Sequence, residues 1–365
     1  MAAPARPSGL DHFWAVVPAG GAGTRLWPLS RASAPKFLHD LTGTGRSLLQ
    51  GTVDRLAPLV GRRVLVVTGA VHRPAVVGQL PELDPDAIVA EPSPRDSMAA
   101  IGLAAAIIER EDPEAVIGSF AADQVVADRA GFETAVAAAV RAARDGWLVT
   151  LGITPTHAST AFGYIHLGDE LAGHPGTHEV LEFVEKPDAA LAASYLRTGS
   201  FRWNAGMFVV RPGVLLDLLA DQHPDFATAL RDVAADRTRL EAVWPVLPRI
   251  AIDHAVAEPA AAAGRVAVVP ATIGWDDVGD FASLAGILAR EGQPVTVLGD
   301  RADVLGVDSS GVVVPSSGRT VAVIGLEDVV VVDTPDALLV TTRARAQDVK
   351  QVVAALREEG RDDLV

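Results

Sequence analysis

The residues best suited to chemistry in this chain begin with a cluster of very small ones. Ala19-Gly20-Gly21-Ala22-Gly23-Thr24 follows an apolar run, Phe13 to Val17, that is rich in β-formers and reads as a buried strand. With almost no side chains in this turn, successive backbone N–H groups can point at phosphate oxygens. Arg25 follows at once, and Lys36 arrives after a proline-bounded loop, so two cations accompany the turn. Two familiar phosphate motifs do not fit. A Walker loop requires Gly, four residues and then Gly-Lys-Ser/Thr, and no such string follows Gly20, Gly21 or Gly23. A dinucleotide fingerprint starting at Gly21 requires a third glycine where the chain has Leu26, which argues against a dehydrogenase. Trp27-Pro28-Leu29-Ser30 and Ala34-Pro35 keep the chain irregular until about Ser47, which favours a long loop wrapped around a triphosphate. Asp123 stands just beyond another strand-like run, Glu114 to Ser119, where open α/β sheets bind ligands.

The string from Phe13 to Lys36 resembles that of the sugar-1-phosphate nucleotidylyltransferases, and its Gly-Thr-Arg-Leu-Trp-Pro-Leu-Ser-Arg portion is most similar to the mannose-1-phosphate guanylyltransferases. The family usually reads Pro-Lys-Gln-Phe where this chain has Pro35-Lys36-Phe37. The resemblance implies that Ala19, Gly20, Gly21, Gly23, Thr24 and Arg25 hold the nucleotide. Arg25 would clamp the triphosphate and Lys36 would neutralise the leaving pyrophosphate and the reacting centre. Other segments resemble the family in the family's order. Ala121-Ala122-Asp123-Gln124-Val125-Val126 and Gly274-Trp275-Asp276-Asp277-Val278-Gly279 are similar to the two segments whose aspartates hold Mg²⁺. This implies Asp123 and Asp277 as ligands, with Asp276 the neighbouring alternative; Gln124 stands where the family usually has His. Val184-Glu185-Lys186-Pro187 matches the family intact and implies Glu185 on sugar hydroxyls and Lys186 on the sugar-1-phosphate. Gly163 and Asn204 are similar to its sugar contacts. Glu91-Pro92-Ser93-Pro94-Arg95-Asp96-Ser97 corresponds to the loop beside the base, with Asp96 and Ser97 replacing Asn-Thr. Asp96 could accept from guanine or simply cap the following helix.

The implied reaction brings an anionic sugar phosphate against the α-phosphorus of an NTP, so like-charge repulsion is the problem to solve. Cations and Mg²⁺ solve it, and a sugar phosphate with a second pKa of ~6 needs no general base. Arg25, Lys36, Asp123 and Lys186 are the implied catalytic set, converting GTP and mannose-1-phosphate to GDP-mannose and pyrophosphate. Two alternatives stay open. One is the same chemistry with UTP or dTTP and glucose-1-phosphate; the other is a catalytically silent regulatory homologue that binds nucleotide sugar.

Composition narrows the partners. At 365 residues the chain exceeds what one core normally holds, so a large domain plus a smaller one is the default. A net charge of -15 argues against nucleic-acid and anionic-membrane partners, which demand a basic face. The absence of cysteine excludes disulfides and thiolate metal sites and fits a reducing cytoplasm. Met1 to Asp11 lacks the apolar core of a signal peptide, and no apolar run approaches the ~20 residues that span a bilayer, so a cytoplasmic protein is expected. The nine histidines show no metal-ligand spacing.

Strand-like and helical runs alternate through the first part of the chain, the mark of an α/β sheet. Strands are predicted at Arg63 to Val67, Ala87 to Ala90, Trp147 to Ile153, Trp203 to Val210 and Arg265 to Val269. Ala161 to Leu167 and Glu179 to Glu185 read as a long ribbon. Helices are predicted at Ser47 to Leu59, Met98 to Glu109, Ala189 to Leu196, Pro212 to Leu219, Pro224 to Trp244 and Asp280 to Arg290. No element is assigned between Asp123 and Trp147. Near Gln293 the pattern becomes a series of short valine-rich runs separated by Ser/Asp/Gly turns, closed by an amphipathic helix from Ala346 to Glu358. The expected layout is a catalytic domain over 1–292 and a β-rich domain over 293–365. The resemblance implies a GT-A-like, Rossmann-like mixed sheet flanked by helices, a β-helix-like C-terminal domain, and a homodimer. Because the chain ends soon after the β module, no isomerase domain is expected.

Overall fold

The computed structural model describes residues 9–365, and most of the segment read above for a signal peptide lies outside the described residues. The chain divides into two compact units. One combines the stretch ending at Ala19 with Val53–Ala121 and Val126–Trp275; the other combines Gly20–Thr52, Ala122–Val125 and Asp276–Val365.

The first unit is built on a nine-stranded mixed sheet. Its order is Ile88–Glu91, Val64–Gly69, Phe13–Ala19, Val116–Ser119, Phe201–Val210, Leu148–Ile153, Val266–Ala271, His178–Val184 and Tyr164–Glu170. The first four strands run parallel, and Phe201–Val210 lies antiparallel to both its neighbours in that order. The central strands, such as Val64–Gly69, Val116–Ser119, Leu148–Ile153 and Val266–Ala271, read as near-continuous apolar runs because they are buried on both faces. Tyr164–Glu170 and His178–Val184 form the expected ribbon. Asp96–Glu111, Pro212–Gln222 and Pro224–Ala235 share one core with Val16, Ile117, Leu148 and Val268.

Several helical assignments need correction, among them an unpredicted helix at Arg73–Gln79 and a C-terminal α-helix that starts at Val349 rather than Ala346. Arg129–Arg144 is a helix where none is predicted: Asp128 caps it by accepting from the Gly131 N–H at 3.0 Å, and it buries Phe132, Val136, Ala139 and Val140. Its apolar residues Phe132, Val136 and Val140 recur at helical spacing apart from Glu133, Arg141 and Arg144, so the periodicity is present in the sequence although the sequence reading assigns no helix there. The helix predicted from Pro224 to Trp244 stops at Ala235, because Asp236 turns to φ -141° and its carboxylate accepts from the Thr238 N–H at 3.0 Å.

In the second unit, Val295–Val297, Gly311–Pro315 and Val329–Asp333 stack in parallel, and Leu338–Thr342 closes the sheet antiparallel. Val304–Val307 and Val321–Ile324 pair in parallel as a second ribbon. Each parallel partner is one circuit of chain farther on, which is β-helix geometry. Inward Val312, Val314, Val330 and Val332 share a core with Leu26, Trp27, Leu41, Phe281 and Val353. The stretch after the glycine turn is therefore packed into the β module. Two polar ties reinforce it: Trp27 Nε1 donates to the Leu364 carbonyl at 2.6 Å, and the Arg31 guanidinium grips the Asp336 carboxylate at 2.6 and 2.7 Å. No helix among the described residues is long and apolar enough to cross a membrane.

Candidate active site

The sequence-predicted residues fall into two clusters, one in each unit. In the second unit Gly21 and Gly23 take φ of 84° and 63°. A Cβ on Gly23 would stand 2.7 Å from the Lys36 Cβ, so the two ends of the loop meet at a point that admits only glycine. Gly23→Ala is expected to cost roughly 1–2 kcal/mol in a chemical melt, from the left-handed backbone alone, and to displace Lys36 as well. Arg25 is exposed, and its guanidinium has no hydrogen bond or ion pair among the described residues.

Lys36 is 7% exposed; its Nζ donates to the Asp277 carbonyl at 2.6 Å and lies 2.8 Å from Asp123 Oδ2. Burial pushes the Asp277 carboxyl up to about 6; Lys36 opposes this, and Asp276, Asp123 and Asp280 add to it. The neighbouring carboxylates are otherwise engaged. Asp276 Oδ1 accepts from the Val278 N–H at 2.7 Å and from the Ser283 hydroxyl. Asp280 caps the helix Phe281–Leu288 through the Ala282 and Ser283 N–H groups. Val278 takes φ 49°, an unfavourable state for a β-branched residue, and its burial in the core of the unit holds it there. Among the described residues no group of three or more metal-ligating side chains is assembled.

The first unit holds the other cluster. Lys186 takes φ 48° and its Nζ donates to Glu185 Oε1 at 2.6 Å. That hydrogen bond is the main cause raising the Lys186 pKa. Glu185 Oε2 lies so close to Gly163 that a Cβ there would stand 2.5 Å away. The Asn204 N–H donates to the Gly163 carbonyl at 2.8 Å. Asp96 takes φ 65°, its Oδ1 accepts from the Ser97 N–H at 2.8 Å, and its charge acts on Lys186. Ser97 Oγ accepts from the Ile252 N–H at 2.9 Å. At the far end of that chain stands Asp253, a residue the sequence reading misses. Its Oδ1 accepts from Asn204 Nδ2 at 2.7 Å.

Glu91, in the loop motif, ends its strand with Oε2 buried and unpartnered, and burial pushes its carboxyl up to about 7. The folded-state pKa is raised, so the charge destabilises the fold above that value and costs nothing below the ordinary carboxylate range. Glu91→Gln is therefore expected to stabilise by up to about 3 kcal/mol at about pH 8 and to melt like the parent near about pH 4. Urea melts at the two pH values check this.

Comparison with known proteins adds independent findings. A family model described as "Nucleotidyl transferase" matches residues 14–292, and one described as "MannoseP isomerase/GMP-like beta-helix domain" matches 302–356. The chain is 40% identical to the xanthan biosynthesis protein XanB of Xanthomonas campestris pv. campestris (strain B100), over 95% of this chain and 74% of that protein. It is 37% identical to the mannose-1-phosphate guanylyltransferase of Escherichia coli (strain K12), over 97% of this chain and 75% of that one. A crystal structure from Thermus thermophilus, described as a mannose-1-phosphate geranyltransferase, aligns with TM-score 0.85 and 34% identity, covering 95% of this chain and 99% of the other. On these matches the chain belongs to the nucleotidyl transferase family of enzymes and carries, after that region, a β-helix domain of the mannose-phosphate isomerase and guanylyltransferase type.

Proposed function

We propose that this enzyme transfers GMP from GTP to mannose-1-phosphate, releasing pyrophosphate and forming GDP-mannose. The observation that supports it most is the buried Lys36 ammonium, held by Asp123 and the Asp277 carbonyl beside Gly23 of a glycine turn. The choice of substrates follows the similarity to the guanylyltransferase of Escherichia coli.

A phosphate oxygen of mannose-1-phosphate attacks the α-phosphorus in line; the new P–O bond forms as the bond to the β-phosphate oxygen breaks and pyrophosphate leaves. The glycine-turn N–H groups and Arg25 hold the triphosphate, and Lys36 offsets the charge that builds on the leaving group. Lys186 binds the sugar phosphate, Gly163, Glu185 and Asn204 the sugar, and Asp96 and Ser97 the base. Asp123 and Asp277 would hold Mg²⁺. Two carboxylates without a third fit an ion that keeps waters and phosphate oxygens in its other positions. When bound, that ion supplies charge neutralisation of the triphosphate.

We assign residues 1–292 to catalysis and 293–365 to the β-rich domain, and place the enzyme in the cytoplasm. A homodimer through the β-rich domain is supported by the exposed apolar Leu305, Val307 and Ile324 on its paired strands. Pyrophosphate release measured across four NTPs and three sugar-1-phosphates, with and without EDTA, tests the reaction. Selective turnover of GTP with mannose-1-phosphate is expected. Preference for another pair would replace the substrates and keep the chemistry, and no turnover with any pair would favour a silent nucleotide-sugar-binding protein.

A further inference from the structure

Asp253 lies outside every segment that the chemistry above uses, yet the sugar cluster is arranged about it. It opens a five-residue π-helical turn, Asp253–Ala257, whose last three residues are buried. Such turns are rare and concentrate at functional sites. Its entry is fixed from the helix that starts at Asp96: the Ile252 N–H donates to Ser97 Oγ, and the Met98 N–H donates to the Ile250 carbonyl at 3.2 Å.

The hydrogen-bond inventory at Asn204 then limits what the pair can bind. Asn204 Oδ1 accepts from Thr150 Oγ1 at 3.0 Å and from the Gly206 N–H at 3.1 Å, which fixes the orientation of the amide. Its nitrogen carries two donors, and one is spent on Asp253 Oδ1. The second donor meets no acceptor among the described residues, and Asp253 Oδ2 receives no side-chain donor among them. Side by side, the two residues offer one N–H and one carboxylate oxygen in a place where Asn204 is 8% exposed.

We propose that Asp253 and Asn204 together read one hydroxyl of the sugar, which donates to the Asp253 carboxylate and accepts from the remaining Asn204 N–H. This inference rests on the sugar-1-phosphate reading of the site. A hydroxyl donates and accepts at a single atom, as the pair requires. A phosphate oxygen brought to the same place would meet the charge of Asp253, which leaves the phosphate to Lys186 close by. Burial, with Glu185 adding, pushes Asp253 up to about 6, while Asn204 and Lys186 act the other way. Above that value the residue is a charged acceptor.

The test compares kcat/KM for whichever sugar-1-phosphate the wild-type enzyme turns over with kcat/KM for each of its monodeoxy analogues. The wild type is expected to reject one of these analogues by ~100-fold or more, since a site built around a hydroxyl leaves its own groups unpaired without it. In Asp253→Ala the parent sugar loses that advantage and the discrimination falls to within ~5-fold, with KM for the NTP unchanged. Asp253→Asn, of the same shape, provides the measurement if the alanine variant does not fold. Equal slowing of every substrate with discrimination retained would assign Asp253 a merely structural role and overturn the inference. So would a wild type that accepts all the monodeoxy analogues alike. A wild type that turns over no sugar-1-phosphate would overturn the underlying reading, and the inference with it.

Discussion

Lys36→Ala is expected to lower kcat by about 10³-fold while leaving the fold in place, because its ammonium is the buried cation of the proposed triphosphate site. The same substitution removes the positive charge that pairs with Asp123 and acts on the Asp277 carboxyl, which is already held up to about 6 by burial with Lys36 opposing. Without it Asp123 and Asp277 repel both each other and any triphosphate, so KM for the nucleotide rises as well. Lys36→Arg is not expected to rescue activity. The lysine stem threads past Gly23, where 2.7 Å separates its Cβ from the space a methyl would take, and a planar guanidinium is a different shape from a point charge. Steady-state pyrophosphate release beside a thermal melt checks both halves; near-normal turnover in Lys36→Ala would remove this residue from the mechanism.

The second large effect separates two adjacent aspartates. Asp277→Asn is expected to reduce turnover by at least ~10³-fold, since it takes one of two carboxylates from the proposed metal pair. Its cost in stability is expected to be small, because the contact to Lys36 is made by the backbone carbonyl and survives. Asp276→Asn behaves oppositely. Its Oδ1 holds the Val278 N–H and the Ser283 hydroxyl, and Val278 is the strained residue of the segment, so loss of about 1–2 kcal/mol with partial retention of turnover is expected. Metal titrations of activity for the two variants, beside urea melts, discriminate them. If Asp276→Asn is the inactive and well-folded variant, the assignment of the metal ligands is reversed.

The legible parts of the fold are those where chemistry and backbone demand coincide. Gly23 announces itself because nothing larger fits beside Lys36, and the valine runs at Gly311–Pro315 and Val329–Asp333 announce strands because both faces are buried. Arg129–Arg144 is legible too, with Phe132, Val136 and Val140 on one face and Glu133, Arg141 and Arg144 off it, although the sequence reading passes over it. In the site, Lys36, Asp123 and Asp277 can be marked individually from the sequence, but their meeting depends on a fold that brings Asp277 to within hydrogen-bonding reach of a residue 241 positions earlier. Asp253 gives no signal at all. It lies between Ile252 and His254 in a turn of irregular pitch, and its meaning comes from Asn204, 49 positions away.

The tie between Trp27 and Leu364 also sets an order of events during synthesis. The glycine turn leaves the ribosome well before its partner, because the carbonyl that receives the Trp27 N–H is 337 residues behind it. At roughly 5–20 residues per second, the loop waits about 20–70 s for that partner. The loop after the glycine turn is thus translated well before the contact that completes it. Such non-local closure also predicts slow refolding for this unit, with activity recovering only after the β module has formed.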